Sequence, residues 1–133
     1  MLQYIVRKIS SNTTKLEYFY RNNKIGYVSF YNPIDSSNSI SSETSLSKIF
    51  VDPNYRSNNF GSKILNLSEL YLNKNYNTKR LSIVAWIPIN IPNNVAVFYE
   101  RNGYLKNDLF ESSIYDNSDI IYDIVPLVKD LKL

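Results

Sequence analysis

Alternating apolar and polar residues predict several strands in the N-terminal part of the chain. The segments with the period of two that is typical of half-buried strands are 2–9, 16–21, 25–31 and 44–51. Between the second and third segments, residues 22–24 read Asn-Asn-Lys, and asparagine tolerates the positive φ of a tight hairpin turn. The polar segment 32–42 separates the third strand from the fourth and is predicted to be a loop.

A helical period replaces the alternation after the fourth strand. Apolar residues recur every three or four positions, which predicts a helix over 61–74 with one buried face. The residues of this stripe are Phe60, Ile64, Leu67 and Tyr71. The next segment, 79–87, is almost continuously apolar at its centre, as in a strand that is buried on both faces of a strand–helix–strand unit. A right-handed crossover would make it parallel to the strand at 44–51.

The remaining segments predict a second helix and two more strands. Residues 93–102 form a short helical pattern that Gly103 closes in the helix-terminating position, and 104–115 and 120–128 are predicted strands. We therefore predict one domain over 1–133 with an α/β fold. Its mixed, mostly antiparallel sheet has six or seven strands, and two helices flank it.

Composition excludes several classes of site. The chain has no cysteine and no histidine, so disulfides, cysteine nucleophiles and Ser-His-Asp triads are absent, and a metal site would need carboxylates alone. We expect no metal. The net charge is +3, but lysine and arginine are dispersed, which argues against a nucleic-acid groove. No segment has the length and apolar character of a membrane span. We expect a soluble protein of the cytoplasm, or of the host cytoplasm if the source is a virus.

The link between the fourth strand and the first helix suggests an anion site. A strand that ends at Asp52 and Pro53 and turns into a helix directs several backbone N–H groups to one spot. Arg56 adds a charged fork there, Asn59 accepts left-handed geometry, and Gly61 removes a Cβ. Ser57 and Ser62 add hydroxyl groups. An ordinary strand-to-helix connection with an exposed arginine explains the same residues, so local chemistry leaves both readings open.

Three segments resemble the GNAT superfamily of N-acetyltransferases. The stretch V-D-P-N-Y-R-S-N-N-F-G at 51–61 resembles the family's acetyl-CoA pyrophosphate loop, whose Arg/Gln-x-x-Gly-x-Gly core falls on Arg56, Asn59 and Gly61. The stretch V-A-V-F-Y-E-R-N-G-Y at 95–104 resembles the family's A-x-x-F-Y-E-K-x-G-F segment. The stretch K-I-G-Y-V at 24–28 resembles its I-x-G-x-V strand start. The resemblance covers most of the chain.

The resemblance implies a binding site for acetyl-CoA. Backbone groups of Phe50 and Val51 would pair with the pantetheine arm like an added strand. The family's cofactor-binding asparagine falls on Pro92 here, beside Asn93 and Asn94, either of which would substitute if the helix start is shifted. The residues whose amides would hold the pyrophosphate are Arg56, Ser57, Asn58, Asn59, Phe60, Gly61 and Ser62.

The resemblance also implies a reaction. The family transfers the acetyl group of acetyl-CoA directly to a primary amine of a small molecule or a protein. Tyr99 matches the tyrosine that protonates the leaving thiolate, and the alternative is a packed aromatic residue. Glu43 is the nearest match to the carboxylate base of some relatives, and an exposed strand-end glutamate or a water chain are the alternatives. Asp108 and Glu111 are interpreted as solvated charges.

Departures from the family pattern predict a minimal member. Ser57 and Asn59 replace two glycines of the loop. Only 10–15 separates the first two strands, where the family carries one or two helices that wall the acceptor site. The acceptor cleft should therefore be open, or completed by a partner subunit in a homodimer. The absence of an acidic run argues against a polyamine pocket, although isolated carboxylates could assemble one in three dimensions.

We expect an enzyme, an acyltransferase, and two other classes stay open. One is a catalytically weak acyl-CoA-binding protein of the same fold. The other is a small interaction module that uses a strand edge and the loop 32–42.

Overall fold

One mixed sheet and two α-helices make up the part of the chain that the computed structural model describes, residues 1–32 and 42–131, with Ser57 described by its backbone alone. The strands are β1 (Leu2–Lys8), β2 (Thr13–Tyr20), β3 (Asn23–Tyr31), β4 (Glu43–Val51), β5 (Arg80–Pro88), β6 (Leu105–Lys106), β7 (Ser113–Asp116) and β8 (Ile121–Asp130). The helices are α1 (Phe60–Tyr76) and α2 (Val95–Arg101), and a 3-10 helix, Pro53–Asn58, precedes α1.

The predicted fold class is confirmed. The strand order is β1-β2-β3-β4-β5-β8-β6, with β7 also paired to β8, and only the β4–β5 pair is parallel. The described sheet has eight strands rather than six or seven because the segment predicted as one strand, 104–115, is interrupted. The chain leaves β8 after β6, where the amide of Asn107 bonds to the carbonyl of Pro126 at 2.8 Å, and returns to β8 as β7.

The connections between the first strands are short, as predicted. Residues 9–12 turn directly from β1 into β2, so the described chain has no helix there. The β2–β3 hairpin turns one residue earlier than expected, with positive φ at Arg21 and Asn22. Positive φ at both central residues matches the twist of the flanking strands. The polar segment predicted at 32–42 lies outside the described residues except for its two ends.

Both helices lie on the same side of the sheet. The side chains of α1 pack on alternate residues of the central strands, among them Leu16, Val28, Phe30, Leu81 and Ile83. The buried stripe of α1 is rotated from the predicted one. Leu65, Ser68 and Leu72 are buried, whereas Leu67 and Tyr71 are only partly so. Ser68 replaces an apolar residue because its Oγ lies 2.7 Å from the hydroxyl of the buried Tyr18.

The opposite side of the sheet, here called the outer face, is largely uncovered. Leu81, Ile83 and Ala85 of β5 are buried against the helices, but Val84 is 54% exposed and Trp86 is 49% exposed. The prediction that this strand is buried on both faces is therefore wrong. The physical reason is that α2 contacts the first turn of α1, through Asn102 and Ser62, instead of covering the other face.

β4 and β5 are parallel, as predicted, and they separate part of the way along the pair. They are paired only where residues 43–45 meet 80–82. The register of β4 with β3 then shifts at Ser47, a bulge that bends β4 away from β5. Beyond this point a gap lies between the two parallel strands. In the described residues, neither helix is both long and apolar enough to cross a membrane.

Candidate active site

A cavity lies where the end of β4, the start of α1 and the side of α2 meet. Its volume is about 1020 Å³. We call it the α1 cavity. Its lining residues are Ile49, Phe50, Val51, Arg56, Asn59, Gly61, Ser62, Asn94, Val95, Val97, Phe98, Tyr99 and Arg101. The lining includes two arginines and, among the described residues, no carboxylate, so it suits an anionic ligand.

The start of α1 supplies backbone donors to this cavity. The first helical hydrogen bond runs from the amide of Lys63 to the carbonyl of Asn59 at 3.2 Å, so the amides of Phe60, Gly61 and Ser62 precede it and have no acceptor within the helix. The Asn59 side chain makes no capping hydrogen bond. With φ 62° and ψ 22°, Asn59 has the left-handed geometry that the sequence predicted.

Gly61 is required by packing between the two helices. A Cβ built at this residue would lie 3.0 Å from Cε1 of Phe98 and 3.7 Å from Cγ2 of Val51. A Cβ here would therefore shift the Phe98 ring, which itself lines the cavity, by a few tenths of an ångström. Close approach of α2 is therefore a further reason for glycine here, and close approach of a ligand to the backbone stays a prediction.

Arg56 is bonded to the backbone of β4. Its Nε donates to the carbonyl of Val51 at 2.8 Å, and its guanidinium lies 5.9 Å from the centre of the Phe50 ring. This fixes one edge of the guanidinium and leaves its other N–H donors for the cavity. The Val51 carbonyl, expected to pair with a pantetheine arm, keeps a second lone pair for such a bond.

Tyr99 lines the same cavity from α2. Its ring packs edge-on against Phe98 at 5.3 Å and Tyr104 at 6.0 Å between ring centres. Burial raises the pKa of Tyr99 above its ordinary value of 10.0. The hydroxyl is therefore protonated at neutral pH, as a proton donor must be.

The side chains of Phe60 and Asn93, two other residues expected to bind the cofactor, make structural contacts. Phe60 is buried, with its ring 5.2 Å from that of Tyr20. Asn93 holds the entry to α2, because its Nδ2 donates to the carbonyl of Pro88 at 2.6 Å and its Oδ1 accepts from the amide of Val95 at 3.0 Å. Ser57 and Asn58 belong to the 3-10 helix, and Asn58 does not line the cavity. Asn94 does line it.

Glu43 lies elsewhere, in a second cavity on the outer face. This outer-face cavity has a volume of about 650 Å³. Its lining residues are Tyr31, Glu43, Ser45, Leu46, Ser47, Ser82, Ile83, Val84, Trp86, Asn107, Phe110, Glu111, Pro126 and Leu127. Glu111, interpreted from the sequence as a solvated charge, shares this cavity with Glu43, whereas Asp108 does not line it.

The sequence did not identify several lining residues of the α1 cavity. Val97 and Arg101 were not among the expected residues. They follow Asn94, which was expected, at helical spacing, so the three residues form one stripe that faces the cavity. That spacing was visible in the sequence, but the direction of the stripe depends on how α2 packs. Across residues 1–32 and 42–131, no group of three or more acidic residues could hold a metal ion.

Comparisons with known proteins identify the family. A family model described as an acetyltransferase (GNAT) domain matches residues 13–106, which is more than half of the chain. No curated protein matches the sequence. A GNAT family acetyltransferase from Elizabethkingia anophelis, with acetyl-CoA bound, is similar over 98% of this chain and 98% of its own, with a TM-score of 0.70 and 15% identity.

Two further solved structures have the same fold. An IAA acetyltransferase from Bacillus cereus is similar over 98% of this chain and 99% of its own, with a TM-score of 0.68 and 14% identity. The PaiA N-acetyltransferase from Thermoplasma acidophilum, in complex with coenzyme A, is similar over 90% of this chain and 62% of its own, with a TM-score of 0.62 and 18% identity. This chain therefore spans less than two thirds of that protein. The family match and the shared fold together show that the chain belongs to the GNAT superfamily of acetyltransferases, which are acyltransferases.

Proposed function

We propose that this protein transfers the acetyl group of acetyl-CoA to a primary amine. The observation that carries the proposal is the α1 cavity. Backbone donors at the start of α1, two arginines and a protonated tyrosine line one space beside the end of β4, where that strand is no longer paired with β5. The acetyl-CoA and coenzyme A in the structures from Elizabethkingia anophelis and Thermoplasma acidophilum support the choice of cofactor.

The proposed cofactor runs from the α1 terminus towards the strand gap. Its pyrophosphate meets the amides of Phe60, Gly61 and Ser62 and the guanidinium of Arg56, since helix starts and arginine forks both suit phosphate oxygens. The pantetheine arm follows the end of β4 beside Phe50 and Val51. This direction carries the thioester past α2 and towards Tyr99.

The proposed reaction is a direct displacement at the thioester carbonyl. The acceptor ammonium first loses a proton to water. Its nitrogen lone pair then attacks the carbonyl carbon, a C–N bond forms, the C–S bond breaks, and the nitrogen loses its second proton to water. Tyr99 gives its hydroxyl proton to the leaving thiolate and regains a proton from solvent, so the products are an N-acetylated amine, coenzyme A and one proton. Positioning of the two substrates supplies much of the rate.

Cofactor binding is the first test. Coenzyme A at a hundredfold excess over its Kd would stabilise the fold by about 2.7 kcal/mol. For a chain of this size that corresponds to a rise in melting temperature of roughly 10 °C. An unchanged melting temperature at large excess would contradict the proposal.

Turnover is the second test. Release of free thiol from acetyl-CoA is measured with a panel of primary amines and without amine. Amine-dependent release supports an N-acetyltransferase. A large thermal shift without amine-dependent release would instead support a protein that binds acyl-CoA without catalysis. A homodimer that completes the acceptor cleft stays a prediction, which light scattering on the purified protein tests.

A further inference from the structure

The outer-face cavity carries a pair of carboxylates that the proposed cofactor site does not use. Glu43 begins β4, Glu111 lies between β6 and β7, and both line the same space of about 650 Å³. Among the described residues that line it there is no lysine or arginine. A cavity with this sign of charge concentrates cations.

Aromatic side chains form apolar walls in the same cavity. Tyr31, Trp86 and Phe110 line it. The Trp86 ring is held edge-on by Tyr115 and Tyr122, with centres 5.4 Å and 5.5 Å away, while about half of its surface stays exposed. Aromatic faces attract ammonium groups and cover aliphatic chains. The walls therefore suit a ligand that has both an ammonium group and an aliphatic chain.

The cavity reaches the gap between β4 and β5. Leu46 and Ile83 follow the last paired residues of the two strands, and both line the outer-face cavity. If the acetyl group enters the gap from the α1 cavity, as proposed above, an amine in the outer-face cavity reaches the thioester from the opposite side of the sheet. The two substrates then meet without competing for space.

Glu43 lies too far from the gap to touch the reacting nitrogen. It precedes Leu46 by three residues, which is about 10 Å along an extended strand. A charge-assisted hydrogen bond between the Glu43 carboxylate and an ammonium group of the acceptor accounts for about 3 Å of this distance. The remainder matches the separation of the nitrogens in a short aliphatic diamine. Glu43 is thus placed to bind a second ammonium group rather than to act as the base.

A cation near Glu43 is already paired with another group. Nε of Arg80 contacts Oδ1 of Asp130 at 2.8 Å, and this hydrogen bond is the main cause that raises the pKa of Arg80. Glu43 acts on Arg80 more weakly, through space. The nearby arginine therefore does not remove the negative charge of the cavity.

We propose that the outer-face cavity is the acceptor site and that it selects small aliphatic diamines. This rests on the acetyl transfer proposed above. Glu43 binds the far ammonium group, Glu111 attracts the reacting end, and the Trp86 face covers the methylene groups between them.

Paired substrates test this selection. Thiol release is measured with 1,4-diaminobutane and with butylamine, which differ by one ammonium group. We expect the wild type to prefer the diamine about tenfold in kcat/KM, the effect of one charged hydrogen bond. Glu43→Gln should lower this preference about tenfold, and Glu43→Asp should restore part of it. Asp108→Asn, a charge change in the same loop as Glu111 but outside the cavity lining, should leave it unchanged. Added salt should weaken it.

Two results would overturn the inference. One is equal use of both amines by the wild type. The other is an equal change of preference in Glu43→Gln and Asp108→Asn. If coenzyme A still raises the melting temperature and butylamine is still acetylated, the proposed function stands and only the diamine selection fails. If coenzyme A does not bind, the proposed function fails first.

Discussion

The two cavities differ in charge and in how the chain builds them. Arg56 and Arg101 line the α1 cavity, and no described carboxylate does. Glu43 and Glu111 line the outer-face cavity, and no described lysine or arginine does. Residues of β4 beyond its pairing with β5 line both cavities. An anionic cofactor and a cationic acceptor would therefore be sorted to opposite sides of the sheet before they meet.

The two cavities also differ in how far apart in the sequence their lining residues lie. Much of the α1 cavity comes from one stretch, 49–62, in which a strand end, a 3-10 helix and a helix start follow each other. Its donors are backbone amides, whose direction follows from the chain path. The outer-face cavity is made of side chains from β3, β4, β5, β8 and the loop after β6. Only tertiary packing brings these together.

The largest expected effect is on the acetyl-transfer step, in which the substrates bound in the two cavities meet. Tyr99→Phe should lower kcat by about a hundredfold or more, the usual contribution of a general acid, and leave the Kd of coenzyme A almost unchanged. Burial raises the pKa of Tyr99, so the phenol stays protonated at neutral pH and its acid function is lost only as the pH rises beyond its ordinary value of 10.0.

A pH profile sharpens this prediction. Wild-type kcat should not fall between about pH 7 and pH 9, because burial raises the pKa of Tyr99 above 10.0 and the phenol keeps its proton over that range. The same profile in Tyr99→Phe should be lower throughout. An unchanged kcat in this variant would show that Tyr99 is a packing residue between Phe98 and Tyr104, and the thiolate would then take its proton from water.

The second largest effect is expected from Gly61→Val, which changes the α1 cavity. A Cβ at this residue lies 3.0 Å from the Phe98 ring, so valine forces the ring into the cavity or α2 away from α1. We expect stability to fall by about 1–3 kcal/mol and coenzyme A to bind at least about tenfold more weakly, a loss of roughly 1.4 kcal/mol. Asn66→Val, which puts the same residue on the exposed side of α1, is the control for helix propensity. Unchanged coenzyme A affinity in Gly61→Val would remove the α1 cavity as the cofactor site.

The sequence was informative where contacts are local. The left-handed geometry of Asn59, the helix end at Gly103 and the parallel pairing of β4 and β5 were all predicted, since each depends on nearby residues or on the order of elements. The double burial of the strand at 79–87 was wrong because an apolar run is compatible with either one or two covered faces. The exposure of Val84 and Trp86 depends on the side to which α2 turns.

For the same reason, the sequence could not show that Glu43 and Glu111 line one cavity. Glu43 and Glu111 are 68 positions apart, and neither stands in a motif. The sequence left an assembled pair of carboxylates open, but their shared cavity depends on the loop between β6 and β7, which places Glu111 with residues of β5. Arg101 was missed for a related reason, because its helical stripe has no direction until α2 is packed.

The two arginines of the α1 cavity should contribute smaller effects. Arg56→Ala should weaken coenzyme A binding about tenfold, because a charge-assisted phosphate contact and the support of the Val51 carbonyl are lost together. Arg101 is exposed, and Arg101→Gln should weaken binding only about two- to fivefold, in line with solvent-screened charge pairs. Both losses should shrink at high salt. Lys74→Gln, at the far end of α1, is the control, and an equal effect there would mean that net charge alone is responsible.

Asn59→Gly should have the smallest effect on coenzyme A binding, but the sign of that effect is the most informative. Asn59 holds φ at 62°, which glycine adopts without strain and asparagine tolerates. Glycine should therefore change stability by less than about 1 kcal/mol, since relief of strain is offset by the larger entropy of the unfolded chain. Because removal of a Cβ lets the phosphate come closer to the amides, coenzyme A should bind about twofold more tightly, which isothermal titration can resolve as roughly 0.4 kcal/mol.

Asn59→Ala completes the comparison. Left-handed geometry costs alanine a free energy of about 1–2 kcal/mol, and alanine offers no compensating hydrogen bond. This variant should therefore be less stable than the wild type. If glycine tightens binding and alanine weakens it, Asn59 serves the backbone path of the cofactor loop. If both weaken it equally, the Asn59 side chain itself contacts the cofactor, and the donor set of the α1 cavity includes an amide side chain as well as the helix start.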